Sequence, residues 1–428
     1  MSDKRTEMAK LQHQAAETVH TGAGEVGKFI RWAIAALLVG GSVGTVIGLF
    51  RMAVSWAVQS RAQHPALLFA VPLAGLLIVW LYRSCGLSTD PGTDYMLLSV
   101  RTNPGVQLRM VPLIAISTVL THLCGGSAGR MGAALQMGGS ISGALGHWAR
   151  MDEKDCHIMT MCGMAAGFSA LFGTPLTAAV FAMEVISVGE MYYAAFFPCL
   201  LSAFCSFLVT GAMGLPADAY QVAAVPALSL ASIGQVALMG VACALAARLF
   251  CSGLRFARYA YGRLLPNPYF RILAGGGLLI LLTLLAGSQA YNGAGTDVVI
   301  RAFAGEARPE AFLLKILFTS VALGAGYKGG DIAPAFFTGA TLGCVLAPVC
   351  GLPASFGAGL GLAGVFCGVT NCPLTSILLA YELFGGAGLP LYALCCAVSY
   401  MLSGYCSLYG AQKILYSKFR AEYIAGNR

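Results

Sequence analysis

Two glutamates follow matching Pro-Leu-Thr triplets and are the first candidates for chemistry. The triplets stand at 175–177 and 373–375, and Glu184 and Glu382 each lie nine residues after the proline. A buried carboxyl group can carry a proton, or it can accept hydrogen bonds from backbone N–H groups at a helix end. The structural role is favoured for both glutamates, and a proton or electrostatic role is the alternative.

Glycine-rich loops form a second matched pair and could bind an anion. The loops are 125–130 (GGSAGR) and 324–330 (GAGYKGG), and each lies downstream of a Gly-Thr-Asp triplet, at 92–94 and at 295–297. Glycines that interrupt apolar segments are typical of broken helices, and a half-helix offers unpaired N–H groups and a positive dipole end to an anion. The alternative for any one cluster is that its glycines only permit close helix packing.

The matched motifs occur in the same order in both halves of the chain, so they predict an internal duplication. Broken helices at corresponding positions of two repeats are typical of transporters that bind their substrate at the repeat interface, near the middle of the bilayer. The elements that position the candidate residues should therefore be two sets of transmembrane helices.

The composition supports a membrane location. Of the 428 residues, 57% are hydrophobic and only 10% are charged, and the mean hydropathy is +0.75. A soluble domain carries about a quarter of its residues as charged ones. Uncharged stretches such as 32–50, 156–183 and 191–217 reach or exceed the roughly 20 residues that a membrane helix needs. The sequence predicts an all-α integral membrane protein.

Basic residues are dispersed among the apolar segments, at the front, at 248–271 and at the end. Under the positive-inside rule, this pattern places both termini in the cytoplasm and the protein in the inner (plasma) membrane. It forms no basic stripe for nucleic acid. The predicted organisation is a cytoplasmic segment 1–27, membrane repeats 28–215 and 230–415, and a short cytoplasmic tail 416–428.

The sequence lacks the familiar motifs of an intramembrane enzyme. The sequence has no HExxH motif and no histidine after His157, so it offers no Ser-His pair in its second half. The 15 cysteines lie mostly in apolar runs without zinc-like CxxC spacing. Neither an enzyme activity nor a metal or cofactor is predicted.

Four motifs together resemble the CLC family of chloride channels and transporters. Residues 129–139 (GRMGAALQMGG) are similar to its motif G-R-E-G-P-x-x-Q-x-G-G, and 330–334 (GDIAP) to G-x-F-x-P. Segment 165–184 is similar to the family's helix that ends in an acidic residue, and 407–409 to the segment that supplies a pore tyrosine. The resemblance covers most of residues 85–415. It implies two inverted-topology repeats of tilted, broken helices, and a homodimer with a pore in each subunit.

Within the family, the loops 125–130 and 328–331 look most like the fluoride-transporting branch. Gly92-Thr93-Asp94-Tyr95-Met96 replaces the G-S-G-I-P loop of chloride members, and no serine stands there to donate to chloride. Fluoride is therefore favoured over chloride. The expected partners are one of these ions, the lipid bilayer and a second copy of the chain.

The resemblance also implies an anion path. Backbone N–H groups near Met131 and Ile332 and the hydroxyl of Tyr409 would be the direct ligands, while Arg130 and Lys328 would raise the local positive potential. The expected pore residues are Gly92, Thr93, Asp94, Arg130, Met131, Gly132, Asp331, Ile332, Ala333 and Tyr409.

Several of these residues have alternative roles. Asp331 could carry a proton, or it could pair with Lys328 at the mouth of a helix. Asp94 could cap the helix that follows it. Tyr409 could instead belong to an interfacial belt of tyrosines, for which Tyr405 is the better candidate.

Met131 stands where the family's gating glutamate is expected, and Val185 stands where coupled chloride exchangers carry a second, proton-conducting glutamate. A thioether cannot carry a proton as a carboxylate does. The resemblance therefore implies passive, proton-uncoupled conduction of small anions. Two alternatives stay open: a fluoride/proton antiporter that uses a substitute acid such as Asp331, and a non-conducting relative in which Met131 fills the path.

Overall fold

The computed structural model of the chain describes residues 2–87, 92–102, 107–420 and 422–424, with side chains from residue 25 onward except at 102. Within these residues, six helical segments are long and apolar enough to cross a membrane. They are Glu25–Gln63, Pro65–Ser84, Tyr193–Ala212, Leu230–Leu264, Pro268–Ala286 and Ile332–Val349. The protein is an all-α membrane protein, as the sequence predicts.

The first half of the chain contributes eight helices of the described residues. They are α1 Ser2–Gln63, α2 Val71–Ser84, α3 Thr93–Thr102, α4 Met110–Cys124, α5 Met131–Trp148, α6 Glu153–Phe172, α7 Pro175–Glu184 and α8 Phe196–Ala212. Short 3-10 helices, Pro65–Ala70 and Tyr193–Ala195, precede α2 and α8.

The second half repeats this plan helix by helix. It contributes α9 Leu230–Leu264, α10 Pro268–Ala286, α11 Thr296–Phe303, α12 Ala311–Ala325, α13 Ile332–Val349, α14 Ala354–Thr370, α15 Pro373–Phe384 and α16 Leu389–Leu402. The correspondence is closest at the centre, where α4 and α12 both have 15 residues and α5 and α13 both have 18.

The two glycine-rich loops meet and pair. The backbone N–H of Gly129 donates to the carbonyl oxygen of Gly330 at 2.6 Å, and the N–H of Gly330 donates to the oxygen of Gly129 at 2.7 Å. Backbone polar groups inside a membrane protein need such partners. We call this pair of hydrogen bonds the glycine bridge. Because each residue contacts the other in the same way, the bridge lies where an axis of two-fold pseudosymmetry is expected.

The helices that follow the bridge pack closely through glycine. A Cβ at Gly343 of α13 would overlap the carbonyl oxygen of Gly357 of α14, and a Cβ at Gly361 would overlap that of Gly339. Small residues at helix crossings allow this approach, which brings dispersion contacts and no lost hydrogen bonds. Close packing at this crossing fixes the direction of α13, whose start forms part of the site described below.

The C-terminal segment returns to the middle of the molecule. Its strand β2 (Lys413–Ile414) pairs in parallel with β1 (Ser187–Val188), which follows α7. Gln412 is buried and donates through Nε2 to the carbonyl oxygens of Val185 (3.0 Å) and Thr370 (2.7 Å). The segment therefore joins the ends of α7 and α14, one helix from each half.

One stretch that looked like a single span is interrupted. Residues 156–183 form α6 and α7, because Gly173 adopts a left-handed conformation (φ 73°) that ends α6 and Pro175 begins α7. At the front, α1 runs without a break through residue 27, the predicted end of the cytoplasmic segment. The side chains of residues 1–24 and residues 425–428 of the predicted tail lie outside the described residues.

We expect Gly343→Ala to destabilise the protein, because the added methyl group must push α13 and α14 apart. Overpacking of a filled interior costs about 1–3 kcal/mol. The measurement is thermal unfolding in detergent, followed by tryptophan fluorescence. Gly277→Ala in α10 is the matched control, since nothing lies within 4 Å of a Cβ there. Equal unfolding midpoints for the two variants would contradict the packing account.

Candidate functional site

The site begins with two helix starts that face each other across the glycine bridge. α5 begins at Met131 with Arg130 as its N-cap, and α13 begins at Ile332 with Asp331 as its N-cap. Neither N-cap side chain makes a capping hydrogen bond, so the first-turn N–H groups of both helices lack a side-chain acceptor from their own cap. Uncapped N–H groups and the positive end of the helix dipole favour an anion.

The helix starts can come into contact because the bridging residue Gly330 has no side chain. A Cβ on Gly330 would lie 2.5 Å from the backbone nitrogen of Gly132 and 3.1 Å from that of Met131. Only a residue without a side chain can approach the first turn of α5 so closely. Met131 and Ile332 are both completely buried at this junction.

A cavity of about 470 Å³ opens beside the junction, and five of the ten predicted pore residues line it. We call it the vestibule. From the predicted pore set, its lining includes Gly92, Thr93, Asp94, Asp331 and Tyr409, and Lys328 lines it as well. The other predicted pore residues, Arg130, Met131, Gly132, Ile332 and Ala333, do not line this cavity. The Tyr409 side chain is 3% exposed, and its hydroxyl has no hydrogen-bond partner among the described residues. An unsatisfied buried hydroxyl is costly, which makes this O–H available to an ion in the vestibule.

Asp331 is buried on the vestibule wall, and its surroundings differ from those predicted. Arg258 of α9, which also lines the vestibule, is the described cation that acts on the Asp331 charge. Lys328 instead places its Nζ 4.4 Å from the centroid of the Tyr82 ring, within the range of a cation–π contact. Among the described residues, no salt bridge joins Lys328 to Asp331, so the local pair considered from the sequence does not form.

Asp94 also has a different partner from the one considered. Its Oδ1 accepts a hydrogen bond from the backbone N–H of Ala411 at 3.1 Å. Arg101, in the last turn of the same helix, donates to the carbonyl oxygen of Ala411 at 2.6 Å and also to that of Ile186. Both ends of α3 are thus fastened to the segment that carries Tyr409.

Arg130 belongs to a small ionic cluster outside the vestibule. Its Nη2 lies 3.7 Å from Oδ2 of Asp218, and Nη2 of Arg51 lies 3.5 Å from Oδ1 of the same carboxylate. Arg51 also donates to the carbonyl oxygen of Pro216 at 2.5 Å. One carboxylate offsets one of the two guanidinium charges, so the positive potential expected from Arg130 is reduced but not removed.

The two matched glutamates cap each other's helices. Glu184 accepts from the backbone N–H groups of Leu374 (3.1 Å) and Thr375 (2.8 Å) and from the Thr375 hydroxyl (2.5 Å). Glu382 makes the same three contacts with the start of α7, to Leu176 (3.0 Å) and to Thr177 (2.8 and 2.5 Å). Each carboxylate therefore stabilises the free N–H groups at the start of the equivalent helix in the other half.

Several polar residues of the site were not predicted, among them Thr118, Gln136 and Gln412. Thr118 and Gln136 line the vestibule, and each has a buried oxygen without a partner among the described residues, Oγ1 and Oε1 respectively. Gln136 is part of the quoted 129–139 motif, so the motif could have indicated it. Thr118 and the anchoring residue Gln412 stand in no recognisable pattern, and only the fold shows their position.

Comparisons with known proteins agree with this geometry. A family model described as voltage gated chloride channel matches residues 74–404. A chloride/fluoride channel protein of Pseudomonas syringae pv. tomato is 36% identical over 415 residues, which is 92% of each chain. The crystal structure of a CLC-type fluoride/proton antiporter has a TM-score of 0.88 at 32% identity, over 90% of this chain and 98% of that one. A slow cyanobacterial Cl⁻/H⁺ antiporter has a TM-score of 0.75 at 20% identity, over 87% of this chain and 94% of that one, and shares the fold.

We expect Glu382→Ala to lower the free energy of unfolding by about 1.5–3 kcal/mol, since hydrogen bonds to a charged group have this size. The reason is that two backbone N–H groups and one hydroxyl lose their acceptor. The measurement is the thermal unfolding midpoint in detergent. Glu422→Ala is the control, because its carboxylate is exposed and lies 3.9 Å from Arg420, a distance at which a surface pair contributes little. An unchanged midpoint for Glu382→Ala would argue against the capping role.

Proposed function

Since the chain belongs to the CLC family of anion channels and transporters, we propose that it conducts small anions passively, without proton coupling, and that fluoride is the preferred ion. The ion would pass the junction of α5 and α13 in each subunit. Backbone N–H groups at the two helix starts and the Tyr409 hydroxyl would replace part of its hydration shell.

The observation that carries this proposal is the residue at the start of α5. Met131 is fully buried at the junction of the two helix starts, where a carboxylate could compete with the anion and carry a proton. Its thioether does neither. Both oxygens of Glu184 accept hydrogen bonds from the start of α15. Val185, the next residue, stands at the family's second proton-transfer position and has no acid. Neither of the positions that the family uses for proton transfer offers a free acid.

The vestibule fits the cytoplasmic side of this path. Besides Lys328, its lining carries three basic residues, Arg83, Arg258 and Arg271. Such residues concentrate on the cytoplasmic side of membrane proteins, and they raise the local concentration of anions. We infer that both termini are cytoplasmic and that the protein resides in the inner (plasma) membrane, as the distribution of basic residues predicts.

Fluoride is favoured by the residues around the vestibule and by the relatives. Residues 92–94 line the vestibule with no serine hydroxyl, and Thr93 is the only hydroxyl residue among them. The Pseudomonas relative is described as a chloride/fluoride channel protein, and the solved CLC-type antiporter is described as one for fluoride. A homodimer is expected from the family resemblance and is part of the proposal.

A fluoride/proton antiporter is the second candidate, and one residue favours it. Asp331 is buried on the vestibule wall beside the start of α13, where a protonated carboxyl group could accompany the anion. The solved relative that is described as a fluoride/proton antiporter is similar over nearly the whole chain. Coupling would then depend on Asp331, since Met131 cannot titrate.

Fluoride efflux from proteoliposomes tests the proposal. Vesicles loaded with potassium fluoride are monitored with a fluoride electrode, first with a potassium ionophore and then with a protonophore added. The uncoupled account predicts full efflux with the potassium ionophore alone, since only charge must be balanced. Efflux that occurs only after the protonophore is added would contradict the uncoupled account and support the antiporter. Absence of both fluoride and chloride efflux would favour a non-conducting relative.

We expect Met131→Glu to make conduction depend on pH. Above the pKa of the new carboxyl group, its negative charge would compete with the anion at the helix starts; below it, the neutral acid would not. Met131→Gln has a similar shape without the charge and is the matched control. At neutral pH the glutamate variant should conduct at least about ten-fold more slowly than the glutamine variant, which corresponds to about 1.4 kcal/mol. Equal rates would show that Met131 does not face the path.

A further inference from the structure

A group of basic residues, two of them fully buried, does not line the vestibule and has no part in the proposed path. Arg61 at the end of α1, His122 in the last turn of α4 and Lys315 in the second turn of α12 surround the loop 291–293. We call these three residues the basic site. The vestibule lies at the opposite end of α12, where Leu323 and Ala325 line it, and α12 rises about 1.5 Å per residue between the two.

Contacts to the same loop hold the basic site together. Nζ of Lys315 donates to the carbonyl oxygens of Tyr291 (3.0 Å) and Gly293 (2.6 Å). Arg61 donates through Nη1 to the carbonyl oxygen of His122 at 3.3 Å, and a Cβ on Gly293 would lie 2.9 Å from the same nitrogen. Lys315 and Arg61 thus converge on one stretch of backbone, and Arg61 connects it to His122.

The positive charge of the basic site has little compensation. Lys315 has no exposed surface, and no carboxylate of the described residues lies within salt-bridge distance of Lys315 or Arg61. Asp297 acts on Arg61 only at longer range. Ionised groups buried in a membrane protein are expensive unless they are paired, and such residues usually mark an ion site. The missing counter-charge is that of an anion.

His122 adds an unpartnered nitrogen to the basic site. The side chain is completely buried, Nδ1 lies 2.8 Å from the carbonyl oxygen of Thr118, and Nε2 has no partner among the described residues. A carbonyl oxygen only accepts, so Nδ1 carries a hydrogen in either protonation state. Nε2 is then a lone pair on the neutral ring and an N–H donor on the protonated ring.

The charges around the His122 ring are all positive. Arg61 from α1, Arg130 from the N-cap of α5 and Lys315 from α12 act on the ring, and no carboxylate of the described residues does so. A bound anion would offset the mutual repulsion of these groups and would accept a hydrogen bond from protonated Nε2. Binding of an anion and binding of a proton to His122 should therefore reinforce each other.

A second cavity lies next to the loop 291–293. Tyr291, whose carbonyl oxygen accepts from Lys315, lines a cavity of about 370 Å³ together with Arg301 and Arg308. The same carbonyl oxygen accepts from the Ser127 hydroxyl at 2.9 Å, two residues before the bridging Gly129. Tyr291 therefore connects this cavity, which Glu306 also lines, to the basic site and to the loop of the glycine bridge.

We propose that Lys315, Arg61 and His122 form a second anion-binding site, separate from the helix starts at Met131 and Ile332, in which a halide binds together with a proton on His122. The proposal rests on the proposed function only for the class of ligand. Proton uptake at equilibrium does not require that the proton crosses the membrane with the anion.

The test is isothermal titration calorimetry on the purified full-length protein in detergent, with sodium fluoride and sodium chloride as probes. Titrations in two buffers of different ionisation enthalpy give the number of protons taken up per anion bound. They are repeated at about pH 6 and about pH 8, on either side of the ordinary histidine pKa. Wild-type protein should take up protons on binding and should bind the anion several-fold more weakly at the higher pH.

Four variants, two of them controls, assign the effect. His122→Gln should abolish both the proton uptake and the pH dependence, while His157→Gln, which removes a histidine of α6, should behave as wild type. Lys315→Met should weaken the proton-linked binding at least about ten-fold, which corresponds to a loss of about 1.4 kcal/mol of binding free energy. Tyr409→Phe should leave the proton uptake in place, because it alters only the vestibule.

Two results would overturn the proposal: unchanged proton uptake in His122→Gln, or wild-type affinity in Lys315→Met. His122→Gln keeps a side chain of similar size, so it remains informative if Lys315→Met does not fold. Efflux measurements on the same variants separate the two claims. Protein that binds an anion with a proton but conducts none would contradict the proposed function alone, and conducting protein without proton-linked binding would contradict only the basic site.

Discussion

The glycine bridge is the contact on which the rest of the site depends. Two backbone hydrogen bonds between Gly129 and Gly330 join the loops of the two halves and bring the starts of α5 and α13 into contact. In a membrane interior, N–H and C=O groups at a helix break must find partners within the protein. The bridge satisfies four of them and leaves the first-turn N–H groups of both helices directed to one place, where an anion can be stabilised without a buried cation.

The same reciprocity governs the second pair of broken helices. Glu184 and Glu382 each bind the start of the equivalent helix in the other half, so the duplicated sequence supplies both the helix ends and the groups that satisfy them. This use engages both carboxylates as hydrogen-bond acceptors at the helix starts. Met131 and Val185 cannot titrate, so Asp331 is the buried acid that remains on the vestibule wall. The other acid of that wall, Asp94, accepts a hydrogen bond from the backbone N–H of Ala411.

The fold class and the repeat could be predicted from the sequence, because each leaves a local pattern: apolar spans, glycine clusters and Pro-Leu-Thr triplets. The pore residues stay a prediction, and five of them line the vestibule. The partners of Asp94, Lys328 and Arg130 could not be predicted, since Ala411, Tyr82 and Asp218 are distant in sequence and carry no motif. The basic site was missed for a related reason. In the sequence, Lys315 is a single charge within an apolar segment, and only the fold shows that it lies beside the loop 291–293.

The central claim is that anion movement is not coupled to protons, and the reversal potential in planar lipid bilayers tests it most directly. Fluoride is kept equal on both sides while a pH gradient is imposed, so only a coupled proton could displace the potential at which the current vanishes. Passive conduction past Met131 predicts a reversal potential of zero at every pH gradient. A potential that shifts in proportion to the gradient would contradict the account and would identify the protein as a fluoride/proton antiporter.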